Sequence, residues 1–229
     1  MIIAIDGPAG SGKSTVARRI AQHLGFRYIE TGSMYRAVAW KARQLGVDAQ
    51  DKQRVAEIAL NLKIEFVPGP DGQRLLADGE DLTGRLQTEI IGRLAATVAA
   101  NPRVRESLVP KQQAMGRKGD AVMDGRDIGT VVCPEPDHKL FVTADVEVRA
   151  ERRYKELQGR GTDVIYAQIL RDLRTRDERD SRRAVAPLVP ADDAFILDTS
   201  TLTADEAFER AYAHIVGGGP RRRTRTETI

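Results

Sequence analysis

A single cysteine, Cys133, rules out an internal disulfide framework and leaves too few thiols for a cysteine-based metal site. A reducing compartment fits that usage, and a cytoplasmic location is expected. No uninterrupted apolar stretch is long enough to cross a bilayer, and no basic leader precedes the short apolar run near the start, so neither a membrane span nor export is expected. Histidine is scarce as well. His23, His138 and His214 stand in no motif, and surface or packing roles suit them better than catalysis.

An excess of one charge sign is also missing from most of the chain. The formal net charge is +3, and residues 217–229, with four arginines and one glutamate, account for all of it. That segment, GGGPRRRTRTETI, has almost no apolar content. It is expected to be a disordered basic tail with weak attraction for polyanions. No aromatic side chains are interleaved with its arginines for base stacking, so no specific nucleic-acid partner is expected. The 229 residues, 41% of them hydrophobic, suffice for one sizeable core.

What the chain does have is GPAGSGKST, Gly7 to Thr15, directly after the apolar run Ile2 to Ile5. A buried strand followed by G-x-x-x-x-G-K-[ST] is the context in which a glycine-rich turn becomes a phosphate-binding loop. Gly7, Gly10 and Gly12 permit backbone angles closed to other residues and bring several N–H groups to bear on one anion, and Pro8, Ala9 and Ser11, of which Pro8 has no N–H to give, complete the ATP-binding loop. A helix starting near Lys13 aims its positive end at the same phosphates. Lys13 then supplies a mobile ammonium for the β- and γ-phosphates of ATP, Ser14 a hydroxyl ligand for Mg²⁺, and Thr15 closes the motif.

Val16, Ile20 and Leu24 mark one face of that helix, with Gly25 as its C-cap. A strand at Arg27 to Ile29, then a turn and a second helix through ETGSMYRAVAWKARQLG, continue a β-α-β-α rhythm, which predicts a parallel sheet covered by helices. Between Leu62 and Leu82, KIEFV and RLLAD flank the loop PGPDG, predicting two or three short antiparallel strands. Helices follow through TEIIGRLAATVAAN and from Pro102 through PRVRESLVPKQQAMG; AVMD, the loop GRDIG and KLFVT return to the core. Charge-dense helices joined by QGRGTD, an irregular AVAPLVPADDA, a last buried strand FILDT and the closing helix ADEAFERAYAHIV complete the chain.

The phosphate loop alone says only that a nucleotide is bound. No guanine-reading Asn-Lys-x-Asp segment occurs, and no long hydrophobic strand ends in paired acids, so a small-molecule kinase leads. Arg36 and Arg126 each follow a predicted strand, at the edge where parallel sheets hold ligands, and a guanidinium there can fork onto a phosphate; Arg105 can join them. If the helix through TRDERDSRR runs to its end, Arg176, Asp180 and Arg183 share one face. The acceptor stays open at this level: a nucleoside monophosphate such as UMP or AMP, or a non-nucleotide alcohol. A nucleotide-dependent switch that phosphorylates no small molecule is the reading from another class.

IDGPAGSGKST, ETGSMYR, GEDLT, NPRVRE, DGRDIGT and RDERDSRRAVAPLVPADDA, in that order over nearly the whole chain, resemble the bacterial cytidylate kinases among the P-loop nucleoside monophosphate kinases. The resemblance implies an α/β, three-layer P-loop kinase fold with a parallel central sheet, a small β-containing monophosphate-binding insertion and a helical lid. Residues 1–216 would form one kinase domain, with the monophosphate lobe at about 31–110, its β insertion at about 62–85 and the lid at about 149–183. It further implies transfer of the ATP γ-phosphate to CMP or dCMP with Mg²⁺, by a monomer of pyrimidine nucleotide metabolism. Arg36 and Arg126 would serve the substrate's phosphate, Arg105, Asp127 and Arg183 the cytosine edge, and Arg176 and Asp180 the sugar, with Thr31 also among the substrate-binding residues. Lys13 and the lid arginines Arg149, Arg153 and Arg176 would neutralise charge during transfer, with Ser14 and Asp124 on the metal side; Gly159 and Gly161 suit a hinge or, equally, a simple exposed turn. One departure stands out: where the family often has a base-facing serine, this chain has Ala96 followed by Thr97, which puts discrimination against UMP in question.

Overall fold

The computed structural model describes residues 1–69 and 72–218. In chain order β1 (Ile2–Asp6), α1 (Lys13–Leu24), β2 (Arg27–Glu30) and α2 (Thr31–Gln44) reproduce the expected alternation, and Gly25 caps α1 in the left-handed conformation. Glu30 passes directly into α2, with no intervening turn. The apolar periodicity predicts no element between Gly46 and Leu62, yet α3 (Lys52–Asn61) forms there. The Asp51 carboxylate accepts from the Arg54 N–H at 3.1 Å, and Val55 and Ala59, one turn apart, are its buried face.

Three antiparallel strands follow, β3 (Ile64–Gly69), β4 (Gly72–Ala77) and β5 (Glu80–Asp81). Pro68, Gly69 and Gly72, expected in a loop, belong to the strands; Pro70 and Asp71 lie outside the described residues. Then come α4 (Glu89–Ala99), α5 (Pro102–Gly116), β6 (Ala121–Gly125), a single wide turn at Ile128–Val132, β7 (His138–Thr143), α6 (Val146–Gly159), α7 (Tyr166–Ser181), β8 (Phe195–Asp198) and α8 (Ala204–Val216). Residues 219–229, most of the expected tail, lie outside the described residues.

The central sheet has the order β2-β6-β1-β7-β8, all parallel. Period-two alternation gives it two apolar faces. Ile3, Ile5, Val122 and Leu140 pack under α1 and α8, whereas Ala4, Ala121 and Met123 face the opposite side with Ile128 and Val132. Each fully buried Ile or Leu contributes roughly 1.5–3 kcal/mol by leaving water, so this three-layer arrangement is the core that fixes the strand ends. A second core, with Met34, Val38, Val55, Leu82, Ile91 and Leu108, unites α2 to α5 with the small sheet. β8 is an edge strand, not a buried one: Leu197 alone is buried, and Ile196 is exposed. Among the described residues no helix is long and apolar enough to cross a membrane. His23 packs edge-on against Tyr212 and His214 stacks on Phe195, as packing residues do.

Candidate active site

The chain reverses direction of travel across the sheet on either side of β1, so the carboxyl ends of β1 and β6 form the switch point where such sheets hold ligands. Both expected loops leave from there. Gly7 has φ 150°, and a Cβ on it would stand 2.0 Å from the Val142 carbonyl oxygen, so no other residue fits. Gly10 and Gly12 also have positive φ, and Gly12 opens α1. The loop is tied down from outside. Arg149 Nη1 donates to the Ala9 carbonyl at 3.1 Å, and Thr199 Oγ1 donates to that of Ser11 at 3.0 Å.

Lys13 is buried and its Nζ donates to the Pro8 carbonyl at 3.1 Å. Burial, then the charge of Arg126, push its pKa down. Thr15, by contrast, is exposed on the first turn of α1. Ser14 hydrogen-bonds Asp124, which is buried at the end of β6 and also accepts from Tyr28 Oη at 3.2 Å. Burial, then Glu30, push the Asp124 carboxyl up. Thr31 is fixed through its hydroxyl, which donates to the Asp124 carbonyl at 2.8 Å.

Facing this, three cationic side chains gather. Arg36, on α2, lies 3.6 Å from Glu30; Arg126 donates from Nε to Asp180 Oδ2 at 3.1 Å and from Nη1 to the Gly125 carbonyl at 3.0 Å. Arg176 is half-buried on α7, and its buried Nε makes no hydrogen bond among the described residues. Burial, then Arg126 and, less, Arg36, push it down to about 10. Against the effect of burial, Arg126, Arg183 and Arg176 hold the Asp180 carboxyl below the usual range.

Arg105 and Asp127 form a buried ion pair, with the Arg105 guanidinium 5.6 Å over the Tyr35 ring. Arg183 departs from expectation. Helix α7 stops at Ser181 with Arg182 as its cap, so Arg183 does not continue the face of Arg176 and Asp180; it curls back, its Nε donating to the Asp180 carbonyl at 3.2 Å. Arg149 and Arg153 of α6 also diverge. Arg149 is buried between the phosphate loop and Asp177, at 2.6 Å, whereas Arg153 pairs with Glu89, the first residue of α4, and with Glu156. Gly159 ends α6 and Gly161 follows with φ 71° in the turn to α7. Ala96 and Thr97 sit half-buried in the last turns of α4.

Three residues that motif reading passes over belong to this site: Asp6, Tyr28 and Asp177. Asp6 is the one with a signal in the sequence, an acid inside an otherwise apolar strand immediately before the phosphate loop. Tyr28 and Asp177 act through partners about 28 to 96 residues away, which spacing does not reveal.

The family model described as cytidylate kinase matches residues 3–216. A cytidylate kinase of Caldanaerobacter subterraneus subsp. tengcongensis is 45% identical over 213 residues, covering 93% of each chain. One from Vibrio parahaemolyticus is 42% identical over 214 residues, covering 93% of this chain and 95% of its own. Among solved structures, an uncharacterized protein from Eubacterium ventriosum superposes with a TM-score of 0.51 at 13% identity, covering 94% of this chain and 98% of its own, a likeness of fold alone.

Proposed function

From the premise that the chain belongs to the cytidylate kinase family, we propose that the site just described carries the γ-phosphate of ATP to the phosphate of CMP or dCMP, giving CDP or dCDP. The observation that carries the reading is the convergence of cations on the phosphate loop at the switch point: Lys13 is buried there, with Arg126 and Arg176 half-buried and close enough to depress its pKa. Such an arrangement is unfavourable by itself and becomes favourable when two polyanions enter it.

In this reading the backbone N–H groups of the loop from Gly7 to Ser14, Pro8 excepted, cradle the ATP phosphates. Arg36 and Arg126 grip the acceptor phosphate from the other side, with Thr31 shaping the floor between them. The nucleophile is an oxygen of a phosphate monoester whose second pKa is about 6, so at neutral pH it needs no general base. The absence of a motif around any histidine agrees with that chemistry. What remains is in-line positioning and neutralisation of charge on the equatorial oxygens, the work of Lys13 and Arg176 and of Arg149 and Arg153 on the lid helix. Arg153 would have to leave Glu89 and Glu156 to take part.

The donor set suits Mg²⁺: a Ser14 hydroxyl beside the Asp124 carboxylate offers hard oxygens and no sulfur or imidazole. When bound, the ion would neutralise charge on the β- and γ-phosphates. Tyr28 would hold one Asp124 oxygen and leave the other for the ion's water shell.

On the base side, Asp127 accepts from the exocyclic amine of cytosine while Arg105 and Arg183 donate to its ring acceptors. Uracil presents a carbonyl in place of the amine, which a carboxylate repels. Asp180 and Arg176 would hold the sugar. Residues 1–216 act as one kinase domain in this scheme, with the second core as the monophosphate lobe and α6 and α7 as the lid.

A coupled assay of ADP release across CMP, dCMP, UMP, AMP and shikimate tests this. CMP or dCMP should raise the rate far above the ATP-only background, and UMP should lag. ADP formation indifferent to every nucleoside monophosphate would defeat the proposal.

A further inference from the structure

Asp6 ends β1, one residue before the phosphate loop, and its side chain is 94% buried as judged by a residual exposure of 6%. Its Oδ1 accepts from the Ile128 N–H and its Oδ2 from the Gly129 N–H, each at 2.8 Å. Those amides begin the wide turn that follows Arg126 and Asp127, and amides at the start of a helical turn have no partner within it. The pairing of β1 with β6 ends at Asp6 and Gly125. Beyond that point the chain that bears Arg126 and Asp127 has left the sheet, and the Asp6 carboxylate extends the link between the two strands by one further pair of bonds.

We infer that Asp6 is a positioning residue that locks the acceptor-recognition loop, Arg126 and Asp127, to the ATP-binding loop, fixing the separation of the two phosphates; this rests on the function proposed above. The side chains of Arg126 and Asp127 have partners in Asp180 and Arg105, but those partners lie on the lid and on α5. Asp6 is bonded to the backbone between them and stands on the same strand as the phosphate loop. Carboxylate chemistry is specific here. Both oxygens accept, whereas an asparagine turns an NH₂ toward one of the two amides, removing a bond and opposing donor to donor. A displacement of about 1 Å in a transfer geometry can lower rate about 100-fold.

The test compares Asp6→Asn and Asp6→Ala with the wild type, using CMP kinetics at saturating ATP and ATP affinity measured without CMP. Expected is a fall in kcat/KM for CMP of about 10- to 100-fold, with the ATP dissociation constant within about threefold of wild type. CMP kinetics within about threefold of wild type, or equal losses toward ATP and CMP, would overturn the assignment. Should neither variant fold, amide exchange in the wild type decides: Ile128 and Gly129 protected like Val122 and Met123 of β6 supports the lock, and exchange at exposed-loop rates refutes it. Protection of these amides in an enzyme inactive toward CMP would sink the proposed reaction while leaving the lock in place.

Discussion

Arg149 donates from Nη1 to the carbonyl oxygen of Ala9 at 3.1 Å, so helix α6 is bonded to the middle of the phosphate loop. The same guanidinium donates from Nε to the Ala144 carbonyl at 2.8 Å and from Nη2 to Asp177 at 2.6 Å. A guanidinium has five N–H donors, and these bonds use all three of its nitrogens to tie the loop, the end of β7 and α7 together. Arg149→Ala removes all of them from a buried position. The expected loss of stability is about 2–4 kcal/mol, accompanied by weaker ATP binding. Calorimetry and ATP titration check both, and a variant with native melting temperature and native ATP affinity would show that the clasp is incidental. Arg149→Lys keeps the charge without the fork and should recover little.

Lys13→Met should separate catalysis from stability. Loss of the ammonium that meets the transferring phosphate should lower turnover by at least about 100-fold. The ligand-free protein should be no less stable. Burial and Arg126 depress the Lys13 pKa, so the unfolded chain binds the proton more readily than the folded one, and charged Lys13 works against folding at any pH below its unfolded value. A melting temperature well below wild type without nucleotide would contradict this.

Much of this site was readable from spacing because its parts are local. The glycines and Lys13 lie within one strand-loop-helix unit, and Arg36 and Arg126 each follow a strand end closely. Partners joined only through folding were not readable: Asp6 with Ile128, Tyr28 with Asp124, Arg149 with Asp177. Helix α3 was missed for a different reason, since its buried face is no more than Val55 and Ala59 and its strongest signal is a cap at Asp51. Arg183 was misplaced because α7 ends at Ser181, ahead of Pro187, in a run of charge with no apolar period to mark the stop. Pairing of strands set the sheet order, and only the placing of β6 beside β1 brought the phosphate loop and the loop bearing Arg126 together.

Asp6 gives stability a pH dependence of definite sign. Burial raises its pKa from 3.8 to about 6, in spite of its two backbone hydrogen bonds, with Asp127 adding to the rise and Arg126 opposing it. Between those values the folded chain keeps a proton that the unfolded chain has released, so this group's contribution falls as pH rises from about 4 to about 6, by at most about 1.4 kcal/mol per pH unit. Above about 6 both states are ionised and the loss is complete. Urea unfolding of wild type and Asp6→Asn at pH 4.5 and 7.5 should show the wild type ahead by more at the lower pH. An equal gap at both would mean that Asp6 titrates normally.

Arg36 and Arg126 should act alike on acceptor kinetics and differ in what else they hold. Arg36 is about a quarter exposed and its ion pair with Glu30 is long, at 3.6 Å. Arg36→Ala is expected to raise KM for CMP about 10- to 100-fold, the scale of one charge-assisted contact, with little change in melting temperature. Arg126→Ala should raise it as much and also raise the pKa of Asp180, which it helps to depress. A wild-type KM for CMP in either variant would remove that arginine from the acceptor site.

The repulsion between Lys13 and Arg126 can be measured directly by a double-mutant cycle in the ligand-free protein. In the wild type the two cations oppose one another with some unfavourable energy, and either single substitution relieves the whole of it. The double substitution relieves it only once. The double variant should therefore be less stable than the sum of the single changes predicts, by about 0.5–3 kcal/mol, the range for coupled neighbours. Saturating ATP and CMP should shrink that difference, because the phosphates then lie between the charges and screen each from the other. Urea unfolding of the four proteins with and without nucleotides supplies both cycles. Additive changes without nucleotides would mean that the cations do not feel one another, and the case for a site held ready for two polyanions would fail with them.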